Sequence, residues 1–458
     1  MAYSKARRLA DLMSTSAGIP TASIQDDAIT SAKIADDAIT SALIADDAVV
    51  AAAIADDAVV AAAIADDAVV TASIADDAIT SALIADNAVV TASIADNAVT
   101  SAKSTVTGAN PNLIINGDMA IAQRASSSTA TGVKVVDRWS SLWGGSGSAI
   151  TQSQVALTSG GAYDEGHRHA YKMAVTSTSS DTGRYAQMRY IPEAKDIRNM
   201  GWQYTSGSSY ITISWWAKVS LAGTYWFTFY GPDSGTAQQY ITSYALAANT
   251  WTKVTKTIPG GSNIVLNDDN GIGFYIDWRL DKGTDDTASD ATLNAWTNYV
   301  SGKTGTDYAQ AWQNTANATF ELTGVKLEVG QSATTFEKPD YTTEIQKCQR
   351  YFWCIKASDG TYYAFLLQFS ANTTSGWNPY WYLGFPVKMR ANPTLSLEGT
   401  LAVNNTNTSA GASYPQGIIT TYKNTQSCAI GIYQTSYGAP SYIHTNSTDD
   451  MIMFDAEL

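Results

Sequence analysis

The stretch Y-I-T-I-S-W-W-A at residues 210–217 decides the fold. Ile211, Ile213, Trp215 and Ala217 alternate with Tyr210, Thr212, Ser214 and Trp216. Successive side chains of a strand point to opposite faces, so the first set lines one face and the second set the other. Working outward, the same period of two recurs in Tyr225, Phe227 and Phe229, and in Ile272, Phe274, Ile276 and Trp278. Clusters of Gly, Asn, Asp and Ser separate the runs, as turns between the short strands of a β-sandwich require. Further on, Phe320 and Leu322 give way to Val325, Leu327 and Val329. The phase flips across Thr323-Gly324, which predicts a β-bulge.

Residues 340–352 read as a brief helix, with Asp340 as its cap and Ile345, Cys348 and Phe352 on one face. It divides the sandwich, 105–340, from a second β-rich unit, 341–458. Strands are expected there at 362–369, 380–385, 395–401, 417–422 and 428–433. Ile452, Phe454, Ala456 and Leu458 alternate to the last residue, which predicts a final strand tied into a sheet.

Upstream lies a different kind of sequence. Eight copies of a ten-residue unit run in register, typified by S-A-L-I-A-D-D-A-V-V. Ile24, Ile34, Ile44, Ile54, Ile64, Ile74, Ile84 and Ile94 hold the fourth place. The sixth place is always Asp, the seventh Asp or Asn, and the ninth Ile or Val. Large apolar residues therefore fall five apart. A step of five alternates faces on a continuous strand and makes no stripe on a continuous helix. Short extended pieces bent at Asp-Asp fit better, because Asp and Asn bond their own backbone in turns. Each unit has too little to bury alone and must stack on something. We expect a multi-chain shaft over 21–104, with Ile/Val columns inside and Asp outside. A single-chain solenoid and an Ala-rich helical bundle are the rivals, and the β-branched residues argue against the second. Before the shaft, residues 4–14 read as a short amphipathic helix capped by Ser4. The segment 1–20 is expected to anchor the shaft to a base.

Charge separates these regions. The chain has 458 residues and a net charge of −14. Residues 21–104 hold 14 Asp, no Glu and two Lys, so nearly all the acidity sits in the repeat. All 13 Trp lie after residue 138, in the nearly neutral remainder. Nucleic-acid binding wants a basic stripe, and the chain offers none. The three cysteines, Cys348, Cys354 and Cys428, match neither a disulfide framework nor a zinc pattern. No run resembles a signal peptide or is long and apolar enough to span a bilayer, so no membrane insertion is expected.

Several motifs carry a resemblance. They are N-L-I-I-N-G-D-M-A-I-A-Q-R at 112–124, V-V-D-R-W at 135–139, S-W-W-A-K at 214–218 and T-G-V-K-L-E-V-G at 323–330. T-T-F-E at 334–337, C-Q-R-Y-F at 348–352, F-P-V-K-M-R-A-N-P-T at 385–394 and F-D-A-E-L at 454–458 follow. In this order they resemble bacteriophage tail fibres with carbohydrate-binding modules, and the decads are similar to the repeats of phage fibre shafts. The resemblance implies a mostly β homotrimer: an elongated repeat shaft, a jelly-roll-like β-sandwich and a C-terminal β-rich tip domain. It also implies a place in the virion, attachment to tail or base proteins through the N-terminus, and recognition of host cell-surface polysaccharide. This chain departs from many relatives in carrying Asp-Asp or Asp-Asn where they often carry Asp-Gly. Gly tolerates positive φ more readily than Asp, so the bend geometry does not carry over from the resemblance.

The sequence offers no catalytic constellation. Glycan hydrolysis needs two carboxyl groups roughly 5–10 Å apart. Glu321 and Glu328 share one strand run and stand about 20 Å apart at ~3.3 Å per residue. No nucleophile elbow, zincin or phosphate-loop motif occurs. His167 and His169 lack a third metal ligand, and a polar loop is the favoured reading. Asp268, Asp269 and Asn270 form one acidic loop cluster, and Asp281, Asp285, Asp286 and Asp290 another. Sugar-binding sandwiches often hold a structural calcium, but neither cluster has an ordered ligand spacing, and solvated loops are favoured. No cofactor or metal residue is assigned.

Aromatic residues are the better signal, since sugar rings stack on Trp and Tyr. Trp216 and Tyr275 face away from the core residues of their strands. Trp377, Tyr380 and Trp381 cluster in a loop-to-strand stretch. These five are the glycan-binding candidates. The expectation is a non-enzymatic receptor-binding fibre. A glycan-depolymerase tailspike and a head or neck fibre without a specific ligand are the alternatives.

Overall fold

The computed structural model describes residues 111–233, 235–306, 311–356, 365–369, 380–399, 401–405, 418–432, 441–445 and 450–458. In the repeat region it describes 22, 24–45, 48, 50, 54, 64, 74, 79 and 84, and before it residues 4, 5 and 7. The expected 4–14 helix therefore lies almost wholly outside the described residues. The chain divides into two units, Met1–Ile94 and Ala95–Leu458.

In the first unit, each described decad follows one local path. A turn of 3-10 helix covers Ser31–Lys33, and another covers Ser41–Leu43. Extended residues and a turn at Asp36-Asp37 follow the first of these, and Asp26-Asp27 turn in the same way. Asp27 and Asp37, both in the seventh place, adopt φ of 60°. The bend thus takes the left-handed conformation that glycine would supply, and Asp tolerates it because its short side chain bonds locally. Within a single chain the apolar columns stay open to solvent. Ile34 is 41% exposed, Ile39 58% and Ile44 44%.

The second unit is mostly β. Its first twelve strands are β1 (Ser127–Ser128), β2 (Trp139–Gly144), β3 (Ala149–Ala156), β4 (His169–Ser177), β5 (Tyr185–Tyr190) and β6 (Tyr210–Val219). They continue as β7 (Gly223–Gly231), β8 (Gln238–Leu246), β9 (Thr252–Pro259), β10 (Tyr275–Lys282), β11 (Trp296–Asn298) and β12 (Thr319–Val329). They form two six-stranded sheets, ordered β1-β3-β4-β12-β6-β9 and β11-β8-β7-β10-β5-β2. All the pairings within both sheets are antiparallel.

The inner faces are those read from the alternation. Ile211, Ile213, Trp215, Ala217 and Val219 are buried in the first sheet. Tyr225, Phe227, Phe229, Ile276 and Trp278 are buried in the second. Trp215 lies 5.0 Å from Phe227 and 5.8 Å from Trp278 between ring centroids, so the aromatic rings interlock across the sandwich. Each such side chain, fully removed from water, contributes roughly 1.5–3 kcal/mol before conformational entropy is set against it. The expected bulge is present. The β12–β6 register shifts between Thr323 and Lys326, and Gly324 sits there at φ 62°.

Helix α1 (Gly161–Asp164) and helix α2 (Ala194–Asn199) are short. Helix α3 (Tyr341–Gln349) is capped as expected: the Asp340 side chain accepts a hydrogen bond from the Thr343 amide at 3.1 Å. Beyond it lie β13 (Phe352–Lys356), β14 (Phe365–Phe369), β15 (Tyr380–Gly384), β16 (Thr394–Glu398) and β17 (Leu401–Asn405). The last four are β18 (Ile418–Lys423), β19 (Ser427–Ile432), β20 (Ser441–Thr445) and β21 (Met451–Asp455). They make three three-stranded sheets.

Two strand expectations need correction here. The single run at 395–401 is two strands, because Gly399 turns the chain at φ 77°. The final strand stops at Asp455 rather than reaching Leu458. The last residues are held by side chains instead: Arg390 donates to the carbonyls of Ala456 and Glu457, at 2.7 and 2.9 Å.

A buried ionic seam joins this C-terminal part to the sandwich. Arg138 pairs with Glu457, and its guanidinium stacks 3.4 Å from the Tyr351 ring centroid. Arg350 holds Glu193 with two hydrogen bonds of 2.8 Å, and the Tyr351 hydroxyl donates to the same carboxylate. Asn116 donates to the carbonyls of Ile121 and Asp137. Burial pushes the Asp137 carboxyl up to about 6.

Candidate functional site

The outward face of the second sheet bears the site. On β10, the residues that alternate with Ile276, Trp278 and Leu280 are Tyr275, Asp277 and Arg279. Strand register then sets their neighbours. Tyr275 pairs with Tyr230 of β7, Asp277 with Arg189 of β5, and Arg279 with Gln187 of β5. The segment 283–306 crosses this face and supplies a wall carrying Asp286, Tyr299 and Thr304. Together these groups enclose an open groove of about 450 Å³.

Aromatic rings line one end. Tyr230 lies 5.6 Å from Tyr275 and 4.9 Å from Tyr299 between centroids, the second contact edge-to-face. All three remain partly accessible, with Tyr299 39% exposed. A fourth ring, Tyr185, lines the other end beneath Lys282, whose Nζ stands 5.1 Å from its centroid.

Charged groups form the floor, and they hold one another. Arg189 Nε and Nη2 donate to the two oxygens of Asp277 at 2.7 and 3.0 Å. The same guanidinium lies 4.3 Å from the Tyr275 ring centroid, so the ion pair sets the ring's position from below. Burial pulls the Arg189 guanidinium down, and the facing Asp277 carboxylate overrides it, leaving the group above its usual value. Arg279 Nη1 donates to the Thr304 carbonyl, tying floor to wall. Lys282 Nζ reaches Asp286 at 2.8 Å. Burial lowers the Lys282 pKa, and the Arg279 charge lowers it further.

Tyr275 is thus placed in this groove. Trp216 is not beside it: it lies on the outer face of the opposite sheet. There its indole packs against Gly161 of α1 and donates to Glu165 Oε2 at 3.1 Å. Lys253 stands 5.9 Å from its ring and also binds Glu165, at 2.9 and 3.0 Å. Trp377 lies outside the described residues. Tyr380 and Trp381 begin β15, in the C-terminal part. Reading the sequence missed Tyr185, Tyr230, Tyr299, Arg189 and Asp277. The available signal was alternation: Y-I-D-W-R-L-D-K at 275–282 sets aromatic and charged residues opposite the core set.

The other polar candidates are engaged elsewhere. Glu321 meets Lys218 at 2.9 Å, and Glu328 accepts from the Thr334 amide at 2.8 Å and from its hydroxyl at 2.6 Å. His167 precedes β4, which begins at His169. It is buried and its Nδ1 meets Lys338 Nζ at 2.6 Å. Burial and the Lys338 charge push its pKa down to about 3. Asp281 is not a loop residue: it lies within β10, buried, accepting from the Gln313 amide at 2.7 Å. Among the described residues, no group of three His, Cys, Asp or Glu is placed to hold a metal ion. No described helix is long and apolar enough to cross a membrane.

No protein-family model matches the chain, and no curated protein is similar to it. Solved structures show distant likenesses. The enzymatically active domain of bacteriophage CBA120 tailspike protein 4 is 10% identical, with a TM-score of 0.28. The match covers 48% of this chain and 21% of that one. A family 11 carbohydrate-binding module from Clostridium thermocellum, in complex with a β-1,3-1,4-mixed-linked tetrasaccharide, is 12% identical with a TM-score of 0.22. It covers 46% of this chain and 99% of its own. A tandem CBM22 domain from Paenibacillus barcinonensis Xyn10C is 10% identical with a TM-score of 0.23, covering 74% of this chain and 100% of that one. Likenesses this distant set no constraint on activity.

Proposed function

We propose that this protein is a non-catalytic glycan-binding fibre protein, with the Tyr275 groove as its binding site. One observation carries the reading. An open groove presents Tyr230, Tyr275 and Tyr299 above a floor of hydrogen-bonding groups, Gln187 and Arg189, the second fixed by the buried Asp277. Sugar C–H faces pack on such rings, and the hydroxyls between them bond planar amide, guanidinium and carboxylate groups. The open shape suits a chain that passes through, and the ion pair preorganises the floor, which lowers the ordering cost of binding.

How the carboxylates are engaged supports binding without cleavage. A glycosidase needs one carboxyl group to deliver a proton and another to attack or activate water. In this groove both Asp277 oxygens are held by Arg189, and Asp286 is held by Lys282.

The open Ile/Val columns of the decads are what a shaft of several parallel chains would bury, and three chains is the number the motif resemblance implies. The same resemblance supports a phage tail fibre in the virion, attached through its N-terminus to tail or base proteins. Three grooves on one shaft would turn weak sites into firm adsorption to host cell-surface polysaccharide. The test is to incubate the full chain with host polysaccharide. Saturable binding with no new reducing ends over time is expected. Release of reducing ends would replace this reading with the depolymerase one.

A further inference from the structure

The groove is cationic in an anionic protein. Its described lining holds three cations, Arg189, Arg279 and Lys282, against two carboxylates, Asp277 and Asp286. The chain as a whole carries −14. Two of the cations are set deep at one end. The Arg279 side chain is 7% exposed and that of Lys282 13%. Placing cations where water is scarce is costly unless an opposite charge faces them.

The two carboxylates differ in what they can release. Asp277 is 1% exposed, clamped by Arg189 through both oxygens, and already faces Arg279 at 3.8 Å. Asp286 is 30% exposed, on the wall segment, and holds Lys282 through one oxygen. A ligand anion can therefore join or displace Asp286 at Lys282 without opening the buried pair. At the ring-lined end the described charges are those of the closed Arg189–Asp277 pair beneath Tyr275, which leaves Tyr230, Tyr275 and Tyr299 to suit uncharged sugar faces. The groove is thus divided into a stacking end and a cationic end.

We infer that the glycan taken by this groove is anionic, and that its carboxylate or phosphate seats at the Arg279–Lys282 end while a neighbouring sugar stacks at Tyr275. This rests on the glycan-binding reading and narrows it to a substrate class. Lys282 has its pKa lowered by burial and by Arg279, and a bound anion would act in the opposite direction. A recessed cationic cleft also concentrates anionic ligand from solution, an effect that salt screens.

The experiment is an array of defined bacterial glycans in phosphate-free buffer, probed with the full chain and with Lys282→Gln. The array holds neutral glycans, uronate glycans, their carboxyl-reduced forms and glycerol-phosphate glycans. Binding is expected on uronate or glycerol-phosphate glycans, with about a tenfold loss on carboxyl reduction or in Lys282→Gln. The uronate and glycerol-phosphate arms tell which anion is used. Equal binding to reduced and native forms, or to neutral glycans alone, overturns the inference and leaves the groove's glycan reading standing. A folded Lys282→Gln protein, by circular dichroism, that keeps full anionic binding overturns the placement. No binding to any glycan overturns both readings.

Discussion

Replacing Arg189 by Met tests whether the groove floor is a preorganised scaffold. The substitution keeps most of the aliphatic volume and removes both hydrogen bonds to Asp277, which is 1% exposed. Removing one partner of a buried ion pair costs about 3–5 kcal/mol, because the other charge stays buried without compensation. Two features of the site reduce that figure. Arg189 keeps 23% of its side-chain exposure, and Arg279 stands 3.8 Å from the same carboxylate. A loss of about 2 kcal/mol is expected after that discount. Urea unfolding of the full chain, followed by near-ultraviolet circular dichroism of the buried tryptophans, reads it. Asp277→Asn and the double variant complete a cycle, with an expected coupling of about 1–2 kcal/mol. Glycan affinity should fall as well, since Tyr275 loses the guanidinium beneath its ring. A stability change under about 0.5 kcal/mol, with no coupling to Asp277, would refute the scaffold argument.

Further outcomes follow from other parts of the molecule. His167 is depressed to about 3 from an ordinary 6.5, so the unfolded chain binds the extra proton first as pH falls. Its stabilising contribution is complete above about pH 6.5 and erodes below it, by about 2 kcal/mol at pH 5. His167→Gln should remove that slope when urea midpoints are compared at the two pH values. Gly283 opens the wall segment, and a Cβ there would lie 1.9 Å from the Thr182 carbonyl oxygen. Gly283→Ala should therefore lower the melting temperature and weaken glycan binding together, because backbone must shift at the groove's edge. In the repeat, Asp37→Gly should stabilise the shaft by about 1 kcal/mol, since the native φ is 60°. Thermal melting of the full chain against Asp37→Val, expected to be less stable, checks the sign. Light scattering should give the mass of three chains, and a single-chain mass would overturn the multi-chain shaft.

What could be read from sequence was whatever depends on period. The alternation in 210–217 places Ile211 to Ala217 on the inner face, and the phase flip at Thr323-Gly324 marks the bulge, because side-chain direction follows position alone. The cap at Asp340 was equally legible, being local. The groove was not, because it is assembled from β5, β7, β10 and the 283–306 segment, and only register sets Tyr230 beside Tyr275. Trp216 and Tyr275 both point outward, yet nothing in the sequence says that they belong to opposite sheets. Three of the motifs that carried the resemblance, at 135–139, 348–352 and 454–458, turn out to meet elsewhere. Asp137 and Arg138, Arg350 and Tyr351, and Glu457 come together in the buried seam. Their spacing reflects how the C-terminal part is fastened, and it marks no residue of the groove.

The most direct test of the central claim is a binding titration of one glycan against three full-length proteins: wild type, Tyr275→Ala and Trp216→Phe. Tyr275→Ala is expected to lose about 1–3 kcal/mol of binding, in line with the loss of one stacked ring. Trp216→Phe should bind as wild type does. Unchanged affinity in Tyr275→Ala, or affinity lost only in Trp216→Phe, would contradict the assignment of the groove.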